Sequence, residues 1–488
     1  MKTTKGVLTG VTNGTDTVYY TEVDLSEEYG AEAAVTDVGE TAYGMKDVMT
    51  DADGKIYMYL PAGETSIVFG THFYSGTVSA EAGADNRLTR STECKYSLLV
   101  LGDPAYYERN ESTQGILIKD GADLIIKSAN GYGKDNYSPM RIQIEENASV
   151  TLTLDGAYMD ASAIPYISAP ILIPENSTGN VNIILKGENG LKAGRYYAAI
   201  QKDGDAENIG TLTISGEGSL MAAGGYNAAG VGSGADKPVK NIVISSGTVM
   251  ATGGVYGAGI GGGDRGTASN ITISGGTITA TGGNTGAGIG GGYAGMGNDI
   301  TISGGTVTAT SIAAGKDGST GAGIGGGYAG MGNDITISGG TVTAISSATG
   351  EYGRAGAGIG GGYSREGNNI TISGGTVTAL STADNAFCEG YGIGSGWGAN
   401  DDSTPMVTGG NIKVNKLCGI QGKDGDEPYE AYPARADLLL LAGKNAAVGN
   451  PVLQTYNKKT GETKTLSYNL KDVCTCLLYT SDAADDLT

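Results

Sequence analysis

Along most of this chain apolar and polar residues alternate strictly, in short bursts that recur every 26 to 35 residues. The segment GAGIGGGYAGMGNDITISGGTVTA fills residues 286–309 and returns letter for letter at 321–344. Within it Ala287 and Ile289 share one side, Ile300 and Ile302 the next, and Val307 and Ala309 the last. Period-2 alternation marks half-buried strands, whereas a helical repeat would space its apolar residues by three and four. Each unit therefore predicts three short strands that turn their aliphatic residues the same way. The leading aliphatics align as Ile116, Ile142, Ile171, Ile200, Val231, Ile260, Ile289, Ile324, Ile359, Ile393 and Ile420.

The pattern predicts an all-β fold: a right-handed parallel β-helix with three strands per coil and about eleven coils. Its hand follows the general rule for parallel crossovers. Coils stacked at about 4.8 Å make a rod of roughly 48 Å in ten steps. Side chains that pack on their own copies one rung away account for a segment repeated verbatim. Asn180, Asn241, Asn270, Asp299, Asp334, Asn369 and Asn411, ahead of the second strand, read as a turn ladder whose side chains bond the corner backbone. The extra residues of the longer coils follow the third strand, as in Ser311 to Thr320 and Ile345 to Ala355, and are expected to bulge out along one edge.

Residues 1–100 break the period and read as a small β-sandwich-like module, truncated at its start, with a hairpin turn at Asp53-Gly54. Residues 101–425 are the solenoid. Residues 426–475 begin a second small β module, because Tyr468, Lys471, Asp472, Val473 and Thr475 repeat the spacing of Tyr43, Lys46, Asp47, Val48 and Thr50. The last residues, 476–488, are set apart: CLLYTSDAADD, Cys476 to Asp486, resembles a translated sequencing adapter.

Composition sharpens this picture. Glycine supplies 86 of 488 residues, against about 7% in an ordinary chain. With 31 basic and 52 acidic residues the net charge is −21, which argues against nucleic acid and anionic membrane and is compatible with calcium. No apolar run is long enough to span a bilayer, and the first residues lack the apolar core of a secretory signal. Five cysteines show no metal-ligand spacing.

Three patterns bear on chemistry. Tyr293, Tyr328, Tyr363 and Trp397 each follow the leading aliphatic by four residues. Beside Gly288 and Gly290, read as outward bare backbone, they would form a flat strip for the apolar faces of sugars; the same pattern also reads as stacked rings shielding a corner. Asp299 and Asp334, one coil apart, set two carboxylates about 5 Å from each other, near the separation in retaining glycosidases. Nothing makes one an acid and the other a nucleophile, so they read as turn residues able to share a calcium ion. Thr-x-Thr rows such as Thr306 and Thr308 resemble ice-binding arrays, although threonine is an ordinary outward strand residue. The sole histidine, His72, lies outside the solenoid, and no nucleophile-elbow motif occurs, so enzymatic activity is not expected.

The coil GAGIGGG…NITISGGTVTA, together with DADGKIYMYLPAG, resembles the glycine-rich repeat regions of large cell-surface, adhesin-like proteins of Gram-positive anaerobic bacteria, some described as carbohydrate-binding. The resemblance covers roughly residues 30–475 and implies an extracellular, cell-surface location with polysaccharide or host-surface glycan as partner. On this reading the chain is a non-catalytic surface binding module. A purely structural stalk and a divergent polysaccharide lyase or hydrolase are the alternatives, with ice binding behind them.

Overall fold

The computed structural model describes residues 17–35 and 48–414 apart from short gaps at 71, 82–83, 95, 111–114, 130, 164–168, 315–317, 385–387, 400–404 and 408. It also gives the backbone of strands Val7–Thr9, Leu438–Ala442, Val452–Tyr456 and Thr463–Ser467. The residues from Cys476 onward, and Ile420, lie outside the described residues.

The chain winds into a parallel β-helix with three sheets along its length. The first sheet has eleven strands, of which only the cap strand Tyr107–Asn110 runs antiparallel. Ile116, Ile142, Ile171, Ile200, Val231, Ile260, Ile289, Ile324, Ile359 and Ile393 pair one to the next without a slip. All ten are fully buried. The second sheet stacks Leu212, Ile242, Ile271, Ile300 and Ile335, and the third stacks Val249, Ile278, Val307, Val342 and Val377. Each such side chain taken out of water contributes about 1.5–3 kcal/mol. Repetition of the same aliphatic in the same row is what holds the register.

The third sheet has twelve strands, nine parallel ones followed by three antiparallel. The described solenoid therefore has about nine turns, fewer than the eleven leading aliphatics suggest. Its lower edge is closed by antiparallel strands Leu98–Leu101 and Tyr107–Asn110; such caps remove an edge that would otherwise recruit another chain. At the other end Leu438–Ala442 pairs antiparallel with Asn411–Val414. The strands expected to open a second module thus run on from the third sheet.

Two expectations about the corners change. The positive-φ residues Asn241, Asn270, Asp299, Asp334 and Asn369 stand at a bend, Asp299 lying inside strand Gly297–Ile302 and not ahead of it. Asn and Asp tolerate this left-handed conformation better than other side-chain-bearing residues. Their bonds run mostly to side chains in the next rung: Asn270 Nδ2 donates to Asn241 Oδ1 at 2.7 Å and Asn369 Nδ2 to Asp334 Oδ1 at 3.0 Å. A parallel ladder joins Asn298, Asn333 and Asn368 at 2.9 and 3.2 Å. Asn180 instead accepts from the Thr211 amide at 2.9 Å, and Asn411 belongs to the third sheet, opposite Thr376.

The extra residues of the long coils do not simply bulge outward. They lengthen the third strand from five residues in Thr248–Thr252 to nine in Thr306–Ala314 and Thr341–Thr349. Ser311, Ser346 and Ser381, all fully buried, donate to the carbonyls of Gly286, Gly321 and Gly356 at 2.7, 2.9 and 2.7 Å. Ala348, Ala355 and Ala383 fill a small second core beside them.

The N-terminal module is a β-sheet ordered around Thr17–Asp24, with its own core of Val23, Leu25, Ile56, Leu60, Ile67, Phe69 and Tyr74. Asp51 closes the turn at Asp53-Gly54, its Oδ1 accepting from the amides of Asp53 and Lys55, both at 2.9 Å, with Gly54 at φ 78°. It is not the expected hairpin, because Lys55–Pro61 pairs with Thr17–Asp24 while Met49 bridges Ala34.

Candidate functional site: an aromatic column on one edge

The first strand of each central coil is only two residues long, as in Ile289–Gly290. The turns before and after it therefore meet: the Tyr293 amide donates to Tyr256 O at 2.8 Å and the Tyr328 amide to Thr285 O at 2.7 Å. That meeting gathers aromatic residues from both turns into one column. Tyr293 and Tyr328 stack at 5.4 Å with planes 6° apart, Tyr328 and Tyr363 at 5.0 Å and 24°, and Tyr363 and Trp397 at 5.8 Å and 11°. The Arg354 guanidinium flanks the uppermost pair, 5.5 Å from the Tyr363 ring and 5.4 Å from Trp397.

The four residues singled out in the sequence are thus brought together, but as a pile and not as a flat strip. Parallel stacking directs each ring face at the next ring and leaves half-buried edges toward solvent. A sugar that needs an open face finds none between Tyr293 and Trp397. Burial, and then neighbouring Tyr363, push the Tyr328 hydroxyl above its ordinary pKa.

Gly288 and Gly290 are buried as well, so they offer no bare backbone to a ligand. A Cβ at Gly288 would lie 2.5 Å from the Thr310 amide nitrogen, and one at Gly290, whose φ is 133°, would run into the Gly325 carbonyl. These glycines are there because backbone packs on backbone between coils.

Sequence spacing missed the lower half of the column. Tyr226 and Tyr256 precede their first strand, so they fall out of line with Tyr293, which follows its own. They continue the column edge to face: Tyr226 and Tyr256 at 5.5 Å and 79°, Tyr256 and Tyr293 at 5.8 Å and 73°. Below them the Arg195 guanidinium lies 5.5 Å from the Tyr196 ring and 5.6 Å from Tyr226. A second turn aromatic shortly before GAGIG or AAGVG was the available signal.

The remaining candidates separate cleanly. Asp299 and Asp334 are exposed, in equivalent places of adjacent rungs. Among the described residues no three His, Cys, Asp or Glu side chains converge on a metal position. A calcium ion at this pair would draw its other ligands from carbonyls and water. His72 is 3% exposed, with Nδ1 2.9 Å from Glu28 Oε2 and Nε2 3.0 Å from an Arg90 nitrogen. It is an ion-cluster member inside the N-terminal module, out of reach of a polymer.

A rod of stacked coils carrying an aromatic edge defines a β-solenoid repeat protein. A family model described as a beta helix repeat matches residues 242–264, 271–293, 300–328, 335–363 and 370–397. The segments starting at 242, 271, 300 and 335 begin inside a second strand, and those ending at 293, 328, 363 and 397 finish on the aromatic column. No curated protein and no solved structure matches the chain. The match fixes architecture, and function has to be argued from the surface.

If the column is structural, its removal costs stability. Tyr328→Ala with Tyr363→Ala deletes three stacked pairs and is expected to lower unfolding free energy by roughly 1.5–4.5 kcal/mol, at about 0.5–1.5 kcal/mol per pair. Urea denaturation measures it. A change below about 0.5 kcal/mol would mean the rings are held for something other than the fold.

Proposed function

We propose that this chain is a non-catalytic spacer, a stiff β-solenoid segment of a cell-surface protein that holds other domains at a distance. The observation that carries this is where the repeated rows point. Isoleucines fill the interior, glycines receive the neighbouring backbone, asparagines bond asparagines one rung away, and aromatic rings stack on one another. Rows committed to neighbouring coils build length and leave little for a ligand. An extracellular location follows from the resemblance to adhesin-like repeat regions. No helix among the described residues is long and apolar enough to cross a membrane.

A second reading, adhesion to glycans, is favoured by one feature: at the lower end of the column the rings turn edge to face and Tyr226 is 47% exposed. Calcium at Asp299 and Asp334 belongs with that reading.

The verbatim repeat supplies the test. Deleting residues 286–320 joins Thr285 to Gly321 and recreates the native Thr-Gly-Ala-Gly-Ile junction. A spacer loses one coil, so the rod shortens by about 4.8 Å in solution scattering, keeps cooperative unfolding and releases no reducing ends from pectin or mucin. An unfolded product, or polysaccharide cleavage by the parent chain that the deletion abolishes, would refute the spacer.

A further inference from the structure

The outward side of the third sheet is free of charge across six consecutive rungs. Strands Ser219–Ala223, Thr248–Thr252, Thr277–Gly282, Thr306–Ala314, Thr341–Thr349 and Thr376–Ala383 pair in parallel without a slip and contain no Asp, Glu, Lys or Arg. The strands that flank them do: Glu188–Lys192 below holds Glu188 and Lys192, and Asn411–Val414 above holds Lys413. Charge also enters the second sheet, at Lys240, Asp299 and Asp334, while first-sheet residues such as Ile289 and Gly290 are buried. The third face is open and partly apolar. Met221, Met250 and Ile312 are 38%, 41% and 47% exposed, and Ile345 and Leu380 stand half-buried in the row that begins with Thr310. Threonine fills most of the remaining outward positions, and Thr310 Oγ1 donates to Thr281 Oγ1 at 3.4 Å, so some hydroxyls are satisfied inside the face.

A chain of net charge −21 repels its own copies, and keeping charge off one whole sheet face makes that face the place where two copies meet at least cost. A two-fold interface brings a patch against itself, so the patch has to be self-complementary. An uncharged face of methyl and hydroxyl groups meets that condition. Six rungs at about 4.8 Å, built from strands of five to nine residues at about 3.3 Å per residue, make a patch of roughly 650 Å² before side-chain relief, close to the about 800 Å² per partner of a standard stable interface. An ordered water lattice would need the threonine net unbroken, and Met250, Ile345 and Leu380 interrupt it. The same side chains suit a second sheet packed about 10 Å away, where apolar residues of two facing sheets interdigitate. We propose that the third-sheet face from Ser219–Ala223 to Thr376–Ala383 is the contact between two copies of this chain, packed face to face about a two-fold axis. The pairing is independent of the spacer reading: a rod that stays single is still a rod.

Sedimentation velocity of the intact chain, with reductant present so that no cysteine links the copies, tests this. A concentration-dependent dimer is expected in the micromolar range, and raising NaCl from about 50 to about 500 mM should tighten it, because salt screens the repulsion between two acidic bodies. Thr279→Lys, at an exposed position in the middle of the face, sets two like charges into the contact and should weaken pairing at least about a hundredfold. Met250→Gln, which adds no charge, should cost about tenfold and carries the test should the lysine disturb the strand. Thr272→Lys, on the second-sheet strand Ala268–Ile273 of the same coil, should leave the dimer intact. All three variants should keep the parent's thermal midpoint at dilutions where every protein is monomeric. A parent still monomeric at about 100 µM, a dimer indifferent to both Thr279→Lys and Met250→Gln, a dimer lost equally in Thr272→Lys, a dimer weakened by salt, or thermal hysteresis from a monomeric parent each overturns the proposal.

Discussion

Gly327→Ala is expected to destabilise the solenoid by at least about 4 kcal/mol, or to prevent its folding altogether. The new methyl carbon would lie 2.5 Å from the Gly292 carbonyl carbon, with the carbonyl oxygen closer still. Backbone cannot swing aside as a long side chain can, and the same contact recurs where Gly292 meets Gly263 and Gly362 meets Gly327. Relief in one rung therefore transmits to the next. Gly327 is not among the positive-φ glycines, so backbone preference adds nothing and the cost is steric. The matched control is Gly133→Ala, where the added carbon meets nothing within 4 Å. Removing glycine there should be neutral or stabilise by up to about 1 kcal/mol, because the unfolded chain loses freedom. Guanidinium denaturation of the two variants should give opposite signs. Equal, small effects in both would mean that the coils are not in backbone contact and that the glycine content has another origin.

The contrast shows which parts of this molecule can be read without coordinates. A row is legible when each member packs on its own copy, since the side chain then has to recur at a fixed step. Ile260, Ile289, Ile324 and Ile359 obey this and align by eye. Tyr293, Tyr328, Tyr363 and Trp397 obey it too, but spacing alone does not say whether rings one rung apart lie flat or stack. The two-residue first strand decides that, by folding its flanking turns together and drawing in Tyr256 from the other side. Asn298 and Asn333 were hidden beside the more visible Asp299 and Asp334, because the bend places both positions outward. Residues that occur once carry no period at all. Arg195 answers to Tyr226 as well as to its neighbour Tyr196, and Lys202 to Lys240; Tyr226 and Lys240 are brought in from another rung. The contact between Glu28 and His72 likewise spans 44 residues.

Lys202 shows what such a residue does to the rod. It occupies the interior column that runs Ile118, Ile144, Ile173 below it, and is 2% exposed. In the next rung the neighbour of Gly232 is Ser233, and glycine takes the place above that. Lys202 thus stands where wide Ile-x-Ile coils give way to tight Ile-Gly coils. Its amine donates to Lys240 O at 2.7 Å, while the carboxylate of Asp203 is held by the Gly234 amide at 2.9 Å and by Gln201 Nε2 at 2.6 Å. Burial pushes the Lys202 amine down to about 8, against the pull of Asp203, and burial likewise pushes the Asp203 carboxyl up. A lysine whose folded pKa lies below its unfolded value of 10.5 makes the unfolded chain the better proton binder between those two values. Stability then rises with pH across that window, and the penalty is fully present below about pH 8, near 3 kcal/mol at 1.36 kcal/mol per pH unit. Lys202→Met, similar in length and without charge, is expected to stabilise the chain by about 1–4 kcal/mol at pH 7. The gap between variant and parent should close as the pH rises from about 8 to 10.5. Urea unfolding of both proteins at pH 7, 9 and 10.5 measures it. A methionine variant that is less stable at pH 7, with a deficit independent of pH, would mean that attraction to Asp203 and the bond to Lys240 outweigh desolvation, and that the joint between wide and tight coils is held by its charge.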